Sequence, residues 1–162
     1  MEAARSSETF TRLLWSWSVR RFAQERHGAL DILINNAGVM DIPAARTADG
    51  LDLQTATNYT GPFVLTNLLL PRLTDRVVTV SSQLHRMSKL DVDDLYWRTR
   101  KYNGMDAYRD SKLAGVLFSL ELQRRLTAAG SRVRRKPGKA GLDEATAGRL
   151  WQATAGLTGV GR

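Results

Sequence analysis

At 162 residues the chain can bury one core of ordinary size, and its 43% apolar content fits a globular fold rather than disorder. Zero cysteines exclude disulfide scaffolds and thiolate metal sites, and no stretch reaches the roughly 18–20 apolar residues of a membrane span. The net charge of +8, from 24 basic against 16 acidic residues, favours anionic partners, but no nucleic-acid module accompanies it and nucleic acid is not an expected partner.

Met1 to Trp17 holds Glu2 and Glu8 and lacks the apolar core of a secretory signal, so a cytoplasmic location is expected. Residues 17–27 carry Val19, Phe22 and Ala23 among Arg, Gln and Glu, the pattern of an amphipathic helix that Gly28 could end. Leu30 to Ile34 is short, branched and almost continuously apolar, as a strand buried on both faces should be. Asn35-Asn36-Ala37-Gly38 reads as a turn. Asp49 can cap a helix running through Leu51, Leu53 and Ala56 to Asn58, which Gly61-Pro62 bends or restarts before Phe63 to Leu70.

A second strand, Arg76 to Ser81, is rich in β-branched residues. The polar segment Gln83 to Asn103 reads as a long loop, and loops of that length in a compact domain are usually functional or mobile. Residues 105–129 form the clearest helix, striped by Leu113, Val116, Leu117, Leu120 and Leu126, with Gly130 as its C-cap. Ser131 to Lys136 has only Val133 as a large apolar residue and reads as a degraded strand. Arg132, Arg134, Arg135, Lys136 and Lys139 make a solvated basic run. A last helix spans about Asp143 to Ala155.

Strands alternating with helical crossovers indicate an α/β fold with a parallel sheet, whose ligands sit beyond the carboxyl ends of the strands. Asn35-Asn36 and Ser81-Ser82 terminate the two strands, and the helix after the second carries Tyr108 and Lys112 one turn apart. A cation on the same face stabilises a phenolate, which suits a tyrosine to acid/base work on carbonyls and alcohols. His27 and His85 are isolated, with no second ligand at metal spacing. Trp15, Trp17, Trp97 and Trp151 are expected in packing, and Arg20-Arg21 and Arg124-Arg125 on exposed helix faces.

Leu30–Met40, Gly50–Leu73, Arg76–Ser82 and Ala107–Leu126 together resemble the short-chain dehydrogenase/reductase family, nearest its retinol-dehydrogenase-like and protochlorophyllide-reductase-like members. The likeness covers residues 18–130 of a single Rossmann-like domain, 1–162. It implies that Tyr108 is the acid/base and that Lys112 assists it and bonds the nicotinamide ribose. By the same resemblance Ser82, rather than Ser81, orients the carbonyl oxygen, and Asn58 holds a water that links Lys112 to solvent. Asn36, Ala37 and Gly38 would brace the sheet beside the adenine ribose, and Pro137-Gly138 would line the nicotinamide. The implied cofactor is NAD(P), with NADP expected over NAD, and the implied substrate is a small-molecule alcohol or carbonyl compound.

Against the family pattern the domain is expected to be incomplete. The N-terminal βαβ unit with its glycine loop is missing, and the C-terminal substrate region is shortened. Gly156, Gly159 and Gly161 have glycine-loop spacing without a following helix, so they are not expected to bind phosphate. The strand at Leu30 would then expose an apolar edge, through which homo-oligomers could form. Two readings stay open: an NAD(P)-dependent oxidoreductase, and an inactive truncated remnant acting at most as a binding or assembly module.

Overall fold

A computed structural model describes residues 28–133 and 143–161, together with Arg21 and Glu25. Strand β1 (Leu30–Asn35) and strand β2 (Leu73–Thr79) pair in parallel as a two-stranded sheet. Between them run α1 (Leu53–Thr55), a π turn (Ala56–Thr60), α2 (Gly61–Leu69) and a 3-10 turn (Leu70–Arg72). A second 3-10 turn (Gln83–Met87), the long helix α3 (Gly104–Ala128) and α4 (Glu144–Thr158) follow β2. This is the expected α/β arrangement of a parallel sheet flanked by helices, with part of a Rossmann-like domain present. Among the described residues no helix is long and apolar enough to cross a membrane.

Local chemistry explains most boundaries. The cap of α1 is Asp52, not Asp49: its carboxylate accepts the Thr55 amide at 2.7 Å. Residues 45–53 form a tight excursion in which Thr47 N–H bonds Leu51 O and Leu53 N–H bonds Ala45 O, so the chain turns once more after Asp49 before the helix starts. Pro62 has no N–H to give the carbonyl four residues back, at Asn58. The helix widens there, and Gly61 N–H reaches the carbonyl of Ala56 instead. Strand β2 begins three residues earlier than Arg76, because Leu73 pairs with Leu30 and is buried.

Helix α3 is capped by Asn103, whose side chain accepts the Asp106 amide at 2.9 Å. It closes in the expected place: Gly130 N–H bonds Thr127 O and Ser131 N–H bonds Leu126 O, the paired bonds of a Schellman motif. Asp143 caps α4, which continues past Ala155 to Thr158. Gly156 lies within that helix and Gly159 ends it, so the glycine-spaced tail is a helix terminus. Gly28 sits at a bend outside the left-handed region.

The core lies on one side of the sheet. Tyr59, Phe63, Phe118 and Trp151 interlock, with Phe63 and Trp151 ring centroids 4.9 Å apart and Phe118 stacked on Trp151 at 5.7 Å. Tyr59 bonds the Thr154 hydroxyl at 2.7 Å, which joins α4 to the π turn. Each such aromatic removes on the order of 150–250 Å² from water, which makes this cluster the main stabilising feature. Arg124 and Arg125 do not simply face solvent: both bond the buried carboxylate of Glu121, and Arg125 lies 4.5 Å from the Trp151 ring.

The other side of the sheet differs from expectation. Ile32 and Ile34 are 49% and 61% exposed, and Val78 and Val80 project from the same face. β1 is therefore not buried on both faces among the described residues. Ser131 to Val133 is irregular rather than strand, although Val133 is buried. The rest of the basic run, helix 17–27 apart from the Arg21–Glu25 ion pair, Trp15, Trp17, His27, Pro137 and Gly138 lie outside the described residues.

Candidate active site

The carboxyl end of β1 is tied down by Asn35, which is buried and donates to the Thr66 hydroxyl on α2 at 3.0 Å. Beyond it the chain crosses the end of the sheet through Asn36, Ala37 and Gly38, all exposed. Asn36 makes a backbone bond to Ile34 O at 3.1 Å. Asn58, placed by the π turn, catches this crossing from below. Its Oδ1 accepts the Val39 amide and its Nδ2 donates to the Val39 carbonyl, both at 2.8 Å, as a neighbouring strand would.

Asn58 also reaches α3. Its Nδ2 donates to Ser111 Oγ at 2.9 Å, and Ser111 donates in turn to the carbonyl of Tyr108 at 2.8 Å. Lys112, one turn along, is 7% exposed and lays its ammonium 5.6 Å from the centroid of the Tyr108 ring. The Lys112 ammonium donates to Val80 O at 3.3 Å. Burial holds its pKa below the ordinary lysine value, since an ammonium is costly to desolvate.

Gly38 marks where these groups meet. A Cβ there would lie 3.1 Å from Asn58 Oδ1 and 3.4 Å from Lys112 Nζ, so a side chain would crowd the space between amide and ammonium. Four of the expected residues, Gly38, Asn58, Tyr108 and Lys112, thus form one cluster drawn from three segments.

Ser82 stands two residues past Val80, at the N-cap of the turn Gln83–Met87. Its Oγ accepts the Leu84 amide at 3.3 Å, which leaves its O–H free to donate elsewhere. Ser81 faces the other way and donates to the backbone carbonyl of Lys112 at 3.3 Å. The two serines therefore do different jobs: one fastens β2 to α3, and the other opens onto the loop.

Three participants escape sequence reasoning. Ser111 relays between Asn58 and Tyr108, and Asn35 rather than Asn36 carries the anchoring bond. The third is Gly104, where a Cβ would stand 2.6 Å from Asp41 Oδ1 and 2.9 Å from Ile42 O. The start of α3 is thus wedged against the loop leaving β1. Asp41 itself has φ +52, a strained value for a non-glycine residue. A run of short polar residues in sequence gives no sign of which one is buried.

Comparison with known proteins relates the chain to a family. A model of short chain dehydrogenases matches residues 18–93. Human retinol dehydrogenase 13 is 49% identical over 120 residues, covering 70% of this chain and 36% of that protein. Human polyprenol dehydrogenase is 46% identical over 127 residues, covering 72% of this chain and 38% of that protein. The chain therefore spans little more than a third of the curated relatives it matches. A crystal structure of an uncharacterized protein from Mycobacterium paratuberculosis superposes with TM-score 0.82 at 41% identity, covering 88% of this chain and 72% of that one.

Proposed function

We propose, for a chain that belongs to the short-chain dehydrogenase/reductase family on its retinol-dehydrogenase-like side, an NAD(P)-dependent interconversion of an alcohol and a carbonyl compound. The convergence of Gly38, Asn58, Tyr108 and Lys112 beyond the carboxyl end of β1 carries this reading. In reduction Tyr108 gives its phenolic proton to the carbonyl oxygen; in oxidation it takes the proton of the alcohol. The Lys112 ammonium stabilises the phenolate, and the free O–H of Ser82 orients the substrate oxygen. Asn58 holds the water that returns a proton to Lys112, near a carbonyl that Pro62 cannot serve.

The residues present fit the nicotinamide-ribose end of a dinucleotide. The buried Lys112 ammonium beside the Tyr108 ring, which a side chain at Gly38 would crowd, suits ribose hydroxyls. Lys112 and Tyr108 would hold that ribose, and Asn36, Ala37 and Gly38 would line the adenosine side. Pro137 and Gly138 are assigned to the nicotinamide by resemblance alone. When bound, the nicotinamide supplies the hydride. The excess positive charge favours the extra phosphate of NADP over NAD.

A lipophilic substrate is the natural choice. The retinol and polyprenol dehydrogenases resembled here are named for such alcohols. Met40 and Met87, 51% and 59% exposed, follow the two strand ends and offer adaptable apolar surface there.

Calorimetric titration with NADPH and NADH tests the proposal. Micromolar binding that Lys112→Ala abolishes is the expected result, and a folded sample that binds neither would overturn it. A second reading, a catalytically silent assembly module, is favoured by one observation, the bare row Ile32, Ile34, Val78 and Val80. Under that reading sedimentation shows self-association through that face and titration shows no dinucleotide binding.

A further inference from the structure

Residues 88–103 contain no helix or strand, yet they are held at many points. Asp94 lies at the centre, 8% exposed. Its carboxylate accepts the amides of Arg98 at 2.7 Å and Arg100 at 3.1 Å and the Thr99 hydroxyl at 2.9 Å. Arg100 stacks its guanidinium 3.6 Å above the Trp97 ring and bonds Asp110 Oδ2 at 2.8 Å. Asp110 sits on α3 between Tyr108 and Lys112 and is 2% exposed. Its other oxygen accepts the Ser88 hydroxyl at 2.6 Å.

A second guanidinium grips the segment from the β1 side. Arg46 donates to the carbonyls of Tyr96 and Trp97, each at 2.6 Å. Trp97 holds φ +55 there, a conformation an aromatic residue keeps only when its surroundings impose it.

We propose that Arg100 and Asp110 are positioning residues for the reaction proposed above, on which this inference rests. Through the Asp94–Arg100–Asp110 bridge they fix residues 88–103 as a rigid wall on α3. That wall in turn sets the turn bearing Ser82 against the face that bears Tyr108. The planar fork matters as well as the charge, because one guanidinium must hydrogen-bond Asp110, pair with the Asp94 carboxylate at 3.6 Å and lie flat on an indole. Removing it strands Asp110 with a single hydroxyl partner and releases the wall locally.

Amide hydrogen exchange on the full chain, with Arg100→Met, Arg100→Lys and Asp110→Asn, tests the bridge without needing turnover. At least tenfold faster exchange is expected across residues 90–102 in all three variants, with β1, β2 and residues 113–122 still protected. Unchanged exchange in residues 90–102, or equal loss of protection throughout, would overturn the proposal. NADPH titration and steady-state rates then separate positioning from folding. The NADPH affinity should stay within about twofold, while kcat for an aliphatic alcohol falls tenfold or more and millimolar guanidinium partly restores Arg100→Ala. A kcat unaffected by a released wall would also overturn it. A wild-type chain that binds no NADPH sinks the parent reading instead, and is recognised before any variant is compared.

Discussion

On one face of the β1–β2 sheet, Leu73 and Val77 are almost wholly buried under helices, and Gly115 of α3 approaches so closely that a Cβ would touch Thr79 at 3.6 Å. On the other face, Ile32, Ile34, Val78 and Val80 stand in the open. Both faces carry large aliphatic residues. Their fates differ because α2, α3 and α4 all pack on one side. The difference teaches where the fold's stability resides. It is concentrated in the aromatic cluster shared by the helices, and the candidate site lies on that side too.

Truncating the covered side should have the largest effect. Phe118→Ala removes a buried ring between Phe63 and Trp151 and is expected to cost about 3–5 kcal/mol, read by chemical denaturation. A change under about 1 kcal/mol would mean that the cluster is not the main core. Gly104→Ala should cost about 1–3 kcal/mol, because Ile42 O and the already strained Asp41 stand where the methyl would go. A stability equal to wild type would show that the loop leaving β1 yields freely.

Acid should next loosen the wall on α3 before the aromatic core. Burial opposes ionisation of Asp94, but the amides of Arg98 and Arg100 and the Thr99 groups outweigh it and hold its pKa below the usual carboxylate range. A group whose folded pKa is depressed contributes stability above its unfolded value, about 3.9, and loses it as pH falls through the folded one. Protection of residues 90–102, measured against the intrinsic exchange rate at each pH, should therefore fall below about pH 4, and Asp94→Asn should flatten that acid limb. The smallest effect belongs to the bare face. Ile34→Lys should shift stability by no more than about 0.5 kcal/mol, yet reduce self-association in sedimentation velocity. A loss as large as that of Phe118→Ala would show that this face is covered after all.

Tyr108 and Lys112 were legible because one helical turn separates them on a strongly patterned helix, and local periodicity suffices for that. The approximate places of both strands and of α3 and α4 were legible for the same reason. The cap of α1 was not: Asp49 and Asp52 are equally good cap residues, and the pairing of Ala45 with Leu53 chooses between them. Nor was the order within residues 88–103, since Arg46, Arg100 and Asp110 lie up to 64 residues apart and their meeting depends on the finished fold.

By itself, then, the sequence determined the places of the two paired strands and of α2, α3 and α4 to within a few residues, that the sheet is parallel, and which side chains share the face of α3 that carries Tyr108, whereas the strand expected from Ser131 is irregular where it is described. Backbone preference and apolar period act over a few residues and need no partner. Tertiary structure alone decided which face of the sheet is covered, that Asn58 serves Val39 and Ser111 at once, and that two arginines turn a polar loop into a wall. Those outcomes come from buried polar groups satisfying one another across distant segments, and the cost of leaving any of them unpaired makes the arrangement specific.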